Sequence, residues 1–178
     1  MNCKKTSICN YYCNNMFEFP LNEIIKFKKK NDNTLDIIDC FEFYQRENYM
    51  SYENNQMFCR GCNININNIK HSIKIIKGAK VLIIYLDRGI QISDIKLKFK
   101  EYLDIKNFIN DKESPFYYEL IGIITLFDSS PMKFISFCKS FIDAEWYKYQ
   151  DSIVSKSSFE ETTYTGLPYA LFYSYIQK

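Results

Sequence analysis

The sequence predicts an α+β fold: a mostly antiparallel sheet, about two short helices and a cysteine-bearing extension toward the N-terminus. Three observations carry this expectation. Apolar runs of strand length, rich in β-branched and aromatic residues, recur between clusters of Gly, Pro, Asn and Asp. Hydrophobic residues make up 47% of the 178, with Phe and Tyr contributing 15 each. That is apolar mass for about one domain with its own core, and too much for a disordered chain. Six of the seven cysteines precede Asn68, so cysteine chemistry is confined to one end and the rest reads as strands.

Taken in order, residues 17–27 alternate apolar and polar after the Asn14-Asn15 turn and read as a strand. Pro20 lacks an amide hydrogen for a ladder and marks this strand as an edge or entry segment. Thr34 caps a helix expected over residues 35–45, where Leu35, Ile38, Phe41 and Phe43 or Tyr44 approximate an i, i+3/i+4 stripe. The Asn-rich residues 63–68 read as a turn. Strands follow at 71–76, 80–86 and 95–99, with Gly78 separating the first two. The unbroken Val81-Leu82-Ile83-Ile84 suits a central strand covered on both faces. Residues 103–109 read as a short helix or turn. Residues 117–126, 133–139, 145–149 and 169–175 complete the set as four more strands.

Charge narrows the function classes. With 23 basic and 21 acidic residues the net charge is +2, which gives no strong pull toward nucleic acid or an anionic membrane. The lysine-rich residues 26–30 read as a solvated loop. The opening MNCKKTSICN lacks the apolar core of a secretory signal. The longest apolar runs, near residues 81–86 and 120–127, fall far short of the roughly 20 residues of a spanning helix. The expectation is a soluble intracellular protein, cytoplasmic or nuclear, with neither membrane nor nucleic acid as partner. Seven cysteines, an odd count, argue against a closed set of disulfides and leave thiols or metal ligands in a reducing compartment.

The most informative stretch is residues 118–154, YELIGIITLFDSSPMKFISFCKSFIDAEWYKYQDSIV. It resembles the second signature of the ubiquitin-specific proteases, cysteine deubiquitinases of the papain-like type. That signature has a Tyr-x-Leu strand, a glycine-rich loop, Gly-His-Tyr, an aromatic strand and a Trp-Tyr-x-Phe-Asp/Asn-Asp turn. Tyr118, Leu120, Gly122, Phe134, Trp146, Tyr147, Tyr149 and Asp151 fall on the pattern. VLIIYLDRGI resembles the family strand that reads Leu-x-Leu-x-Leu-x-Arg-Phe, and KLKFKEYLDI the segment after it. IDCFEFYQRENYM resembles the helix before the second zinc pair, and GLPYALFYSYIQK the closing strand. The order and spacing of these pieces are more specific than any one of them. The resemblance implies that residues 1–178 form part of such a domain, with residues 1–70 fingers-like and residues 71–178 a palm-like sheet. It implies ubiquitin or ubiquitinated proteins as partners. The family's nucleophile box, Gly-x-x-Asn-x-Gly-Asn-x-Cys-Tyr, has no counterpart here, so the thumb that carries it is expected to be absent from this chain.

The resemblance places the general base at Lys133, its orienting residue at Gln150 and a helper carboxylate at Asp151. Histidine serves as a base because its ordinary pKa is about 6.5, whereas lysine starts near ~10.4. Nothing around Met132-Lys133-Phe134 signals the deep burial that would bring a lysine down, so Lys133 reads as an exposed lysine beside a strand. Gln150 carries one methylene too many to hold an imidazole in place. Asp151 reads as a turn residue before a helper. The approach loop, Asp128-Ser129-Ser130-Pro131-Met132, lacks the glycines that let ubiquitin's tail pass at backbone distance, and Leu126 stands where the family has a further histidine. His71, the single histidine, falls in the fingers-like part and reads as a surface or sheet residue. Cys138 has no partner base and reads as a strand or core thiol, Cys40 as a buried small apolar residue.

Cys59-Arg60-Gly61-Cys62 is a Cys-x-x-Cys knuckle, two thiolates spaced to grip one Zn²⁺. Cys9 and Cys13 are the best further ligands for a structural zinc, with Cys3 in reserve; the alternative is a decayed site with free thiols. Three functions compete. The first is an inactive deubiquitinase-like module that binds ubiquitin or survives as a remnant. The second is the C-terminal half of an active cysteine deubiquitinase that hydrolyses isopeptide bonds at the ubiquitin C-terminus. The third is an unrelated zinc-ribbon interaction domain. The absent nucleophile box and Lys133 favour the first, so this chain alone is expected to be inactive.

Overall fold

The computed structural model describes residues 16–29, 32–51, 57–59, 63–66, 68–129 and 132–177, and is organised around one eight-stranded sheet. At one end β1 (Met16–Pro20) runs parallel to β7 (Val81–Asp87). The order continues through β14 (Leu167–Tyr175), β10 (Tyr117–Ser129), β11 (Met132–Lys139) and β12 (Trp146–Gln150) to β13 (Ile153–Ser157), and β9 (Tyr102–Asp104) pairs with one end of β10. Every pairing except β1–β7 is antiparallel. Three small sheets stand beside it. β2 (Thr34–Asp36) is parallel to β8 (Lys96–Lys98). β3 (Asn48–Ser51) is antiparallel to β6 (Asn68–His71), and β4 (Met57–Cys59) to β5 (Ile64–Ile66). The helices are α1 (Leu21–Lys28), α2 (Ile37–Tyr44) and α3 (Phe159–Tyr164), with a 3-10 turn at Lys106–Phe108. The class is α+β on a mostly antiparallel sheet, as the sequence predicts, with three α-helices described rather than about two.

Strand alternation decides which face of the sheet is covered. Leu82, Ile84 and Leu86 of β7 are buried on the same face as Leu171 and Tyr173 of β14, Ile123 of β10, and Ile135 and Phe137 of β11. Phe17 and Phe19 of β1 extend this face, and α1 and α2 add Leu21, Ile24, Ile37, Cys40 and Phe41 to its core. The rings of Phe17 and Phe19 meet those of Phe41 and Tyr44 edge-on at 5.1–6.1 Å, the geometry aromatic quadrupoles favour. The opposite face stays open. Val81 is exposed and Ile83 and Tyr85 only half-buried, so β7 is not the doubly covered strand that its continuous apolar run suggests.

Other elements depart from expectation for local reasons. The strand expected over residues 17–27 stops at Pro20, which sits at the N-cap of α1. From there Leu21, Ile24, Ile25 and Lys28 follow helical spacing, and Pro costs nothing where no intrahelical donor is needed. The residues expected to form a lysine loop therefore begin inside α1, and the Lys28 ammonium lies 3.0 Å from the Asp39 carboxylate while also bonding Glu42. The second helix starts at Ile37 because Thr34–Asp36 is recruited to β8. Its cap is Asp36, not Thr34: the Asp36 carboxylate accepts from Ile38 N and the Asp39 carboxylate from Asp36 N, both at 2.9 Å, a reciprocal capping box. Residues 64–66 and 68–71 are strands rather than turn, and among the described residues of this segment Asn63 keeps turn geometry with φ 57°. Residues 72–76 add only an isolated bridge, Ile75 to Ile109. The helix-or-turn at 103–109 divides between β9 and the 3-10 turn. Among the described residues no helix is long and apolar enough to cross a membrane.

Candidate functional site

β10 and β11 pair antiparallel as far as Ser129 opposite Met132. The expected approach loop over residues 128–132 is therefore mostly ladder, with Asp128 paired to Lys133; Ser130 and Pro131 lie outside the described residues. A bulge between Leu126 and Asp128 puts Phe127 into solvent. Lys133, the second residue of β11, is exposed and has no ion pair among the described residues.

Ser136 pairs with Tyr149, and one further step sets Gln150 opposite Ile135. Side chains of Lys133, Ile135, Phe137 and Lys139 therefore share a face with those of Trp146, Lys148 and Gln150. Lys133 and Gln150 are diagonal neighbours, a relation of about 7–8 Å between backbones. Asp151 is not brought to them. It is exposed in the β12–β13 turn with φ 52°, a left-handed conformation that Asp tolerates.

Two charged residues that sequence reasoning did not single out as functional support this region. The Lys139 ammonium donates to Glu101 at 2.8 Å and to Glu119 at 2.7 Å, and Trp146 Nε1 donates to the same Glu101 carboxylate at 3.4 Å. Burial alone would lower the lysine's pKa; the hydrogen bonds to both glutamates outweigh it and raise it. Arg88, just after β7, is 1% exposed. It donates twice to the Pro168 carbonyl, through Nε at 3.0 Å and Nη2 at 2.8 Å. Nη1 donates to Ser93 O at 3.0 Å and Ile95 O at 2.8 Å. Burial pulls its pKa down to about 10, so it remains a cation at neutral pH. These bonds fix the start of β14. There Gly166, at φ +67°, lies so close to Leu126 that a Cβ would strike its carbonyl oxygen. Lys148 and Ser157 both reach Glu161 of α3, at 3.1 and 2.8 Å, tying β12 and β13 to that helix.

Cys59 closes β4 opposite Ile64, and Asn63 turns the hairpin. Cys3, Cys9, Cys13 and Cys62 lie outside the described residues, among which no group of three or more metal-ligating side chains occurs. His71 ends β6 opposite Asn48, a sheet residue. Cys40 is fully buried, its Sγ 3.8 Å from the Asp36 carbonyl oxygen. Cys138 is a strand thiol on the open face, between Gly122 and Tyr147. Partial burial raises its pKa, the wrong direction for a nucleophile. Two clefts, of 280 and 160 Å³, lie elsewhere; neither is lined by Lys133, Gln150 or Asp151.

The family model for ubiquitin carboxyl-terminal hydrolase matches residues 2–173. The chain belongs to the ubiquitin carboxyl-terminal hydrolase family. It is 32% identical over 168 residues to ubiquitin carboxyl-terminal hydrolase 8 of Saccharomyces cerevisiae, a match covering 84% of this chain and 33% of that protein. Among solved structures it is similar to a SAGA DUB module containing a Ubp8 variant with Sgf11, Sus1 and Sgf73, bound to monoubiquitin (TM-score 0.63, 29% identity, 81% of this chain and 35% of that one). It is similar also to the Ubp8/Sgf11/Sus1/Sgf73 module bound to ubiquitin aldehyde (TM-score 0.63, 28% identity, 81% and 35%). The chain thus spans about a third of the length of the relatives it matches. Membership in the ubiquitin carboxyl-terminal hydrolase family sets aside the reading as an unrelated zinc ribbon. Within this family member, the face holding Lys133 and Gln150 offers a cationic donor and an amide.

Proposed function

We propose that this chain is a ubiquitin-binding, palm-like part of a ubiquitin carboxyl-terminal hydrolase domain that does not cleave ubiquitin conjugates by itself. The observation that carries this is Lys133: an exposed, ladder-paired lysine stands at the position where the resemblance puts the base. The sequence given also contains no nucleophile box, and loss of even one member of a catalytic unit costs orders of magnitude in rate. Ubiquitin as partner is supported by similarity to modules bound to monoubiquitin and ubiquitin aldehyde. We infer further that Cys9, Cys13, Cys59 and Cys62 hold one structural zinc, which would clamp the segments carrying the two cysteine pairs.

The test pairs two measurements. A ubiquitin C-terminal fluorogenic amide and an electrophilic ubiquitin probe report chemistry; chemical-shift changes in isotope-labelled ubiquitin report binding. The expected result is binding without turnover or probe adduct. Turnover by the unmodified chain overturns the proposal, and absence of binding leaves the remnant reading. The chain's coverage of a third of its relatives supports a second reading, half of an active enzyme. Supplying a thumb segment in trans to the unmodified chain tests it, and only that reading expects turnover without Lys133→His.

A further inference from the structure

β8 lies outside the large sheet and has a single ladder partner among the described residues, β2. Lys96 N donates to Asn33 O at 2.7 Å, so in this parallel pair the backbone groups of Lys96 and Lys98 point toward β2. Those of Leu97 point away, and no hydrogen bond is made to them among the described residues. The strand therefore presents an unpaired edge. Its side chains alternate: Leu97 and Phe99 are buried, and Lys96, Lys98 and Lys100 are exposed on one face. None of the three lysines has an ion pair among the described residues. Acidic groups nearby are engaged elsewhere: Asp36 caps α2, Asp94 accepts from Asn33 at 3.1 Å and Asp104 from Lys106 N at 2.9 Å. Lys100 also lines the 160 Å³ cleft, where buried Ile37 and Leu103 meet Tyr102 and Tyr117, whose rings stack at 6.2 Å.

We propose that this edge is a docking site for an extended acidic peptide segment, with carboxylates at alternate positions against Lys96, Lys98 and Lys100 and an apolar residue in the adjoining cleft. Lys96 and Lys98, two apart on β8, repeat at ~6.6 Å, the repeat of carboxylates on a paired extended chain, and Lys100 follows just past the end of the strand. An open edge supplies the backbone hydrogen bonds of strand addition, and the side chains supply selectivity. Only a polypeptide satisfies both. A row of three cations on a chain of net charge +2 lacks the broad basic field that nucleic acid requires. The site is distant in sequence from Lys133 and does not rest on the ubiquitin reading.

Fluorescence anisotropy tests this with labelled peptides: an alternating acidic sequence ending in Leu, its Gln analogue, and a version N-methylated at alternate amides. Single-stranded DNA of equal charge is the competing ligand. The acidic peptide is expected to bind, and Lys96→Glu with Lys98→Glu and Lys100→Glu to weaken it about tenfold, the sum of three exposed ion pairs. The Gln analogue should lose a similar factor and N-methylation should abolish binding. An unchanged melting temperature keeps folding out of the comparison. Equal binding by the triple variant or by the N-methylated peptide overturns the proposal, as does tighter binding of the DNA.

Discussion

Gln150 stands diagonally across the β11–β12 ladder from Lys133, on the same face. These are the positions to which the proposed reading assigns the base and its orienting residue, here a lysine and a glutamine. Lys133→His with Gln150→Asp should place an imidazole beside a carboxylate, and the imidazole should titrate roughly 0.5–1 unit higher than in Lys133→His alone. A raised folded-state value stabilises the protein below about pH 6.5, and that gain is lost as pH rises through the folded value. Proton NMR of the imidazole reads this directly. Identical titration in the two variants would show that the positions do not face one another. Neither variant should release a fluorophore from ubiquitin, because no nucleophile has been added.

The Lys139 cluster yields a stability prediction. Lys139→Met leaves Glu101 and Glu119 facing one another without their cation, at an expected cost of about 2 kcal/mol, discounted from a fully buried pair because the carboxylates are partly solvated. Lys139 itself titrates above its ordinary 10.5 in the folded chain. Its contribution is therefore full below pH 10.5 and lost as pH rises through the folded value. Denaturant midpoints of wild type and variant at neutral pH measure the deficit, and their convergence as pH rises above 10.5 measures the lysine's share. A deficit under about 0.5 kcal/mol at neutral pH, the range of an ordinary surface substitution, would mean that the cluster does not hold these strands.

How much of this was readable depends on the range of the cause. β10, β11, β12 and β14 carry aromatic and β-branched alternation bounded by turn residues, and their signal is local. The break at Pro20 was hidden because residues 17–27 fit a two-residue period before the proline and a helical one after it. β13 was missed because all but its last residue are exposed; it is a strand by virtue of β12. The strands that carry Lys133 and Gln150 were legible, but the extension of the β10–β11 ladder to Ser129 and Met132 was not, since that pairing depends on register. Lys139 and Arg88 find their main partners 20 to 80 residues away. A sequence window carries no trace of such contacts.

The cysteine proposal has a direct readout. Protein prepared without chelator should carry about one zinc per chain, and Cys59→Ser should reduce that to near zero, because a three-thiolate remnant binds far more weakly. Elemental analysis with a chelator-dependent melting curve checks it. Zinc-free protein that melts unchanged in chelator would establish the decayed site.

Arg88 gives the sharpest test of what holds the sheet behind the candidate site. Its guanidinium is buried without a carboxylate in hydrogen-bonding contact, and its four donor contacts end on three backbone carbonyls. Arg88→Leu removes the charge but orphans all three acceptors, each costing about 1 kcal/mol or more, so a loss of about 3 kcal/mol is expected. Arg88→Lys keeps the charge but cannot reach Pro168, Ser93 and Ile95 with a planar fork, and should lose about 2 kcal/mol. The pH dependence separates charge from geometry. Arg88 titrates near 10 when folded against 12.5 ordinarily, so the unfolded chain binds its proton more tightly and the charge burial penalty eases as pH rises from 10 toward 12.5. Urea midpoints at pH 7 and 10.5, compared between wild type and Arg88→Leu, resolve this, with unchanged slopes showing that two-state unfolding persists. A change under about 0.5 kcal/mol in Arg88→Leu, the range of an ordinary surface substitution, would mean that the carbonyls find other partners and that Arg88 does not anchor β14.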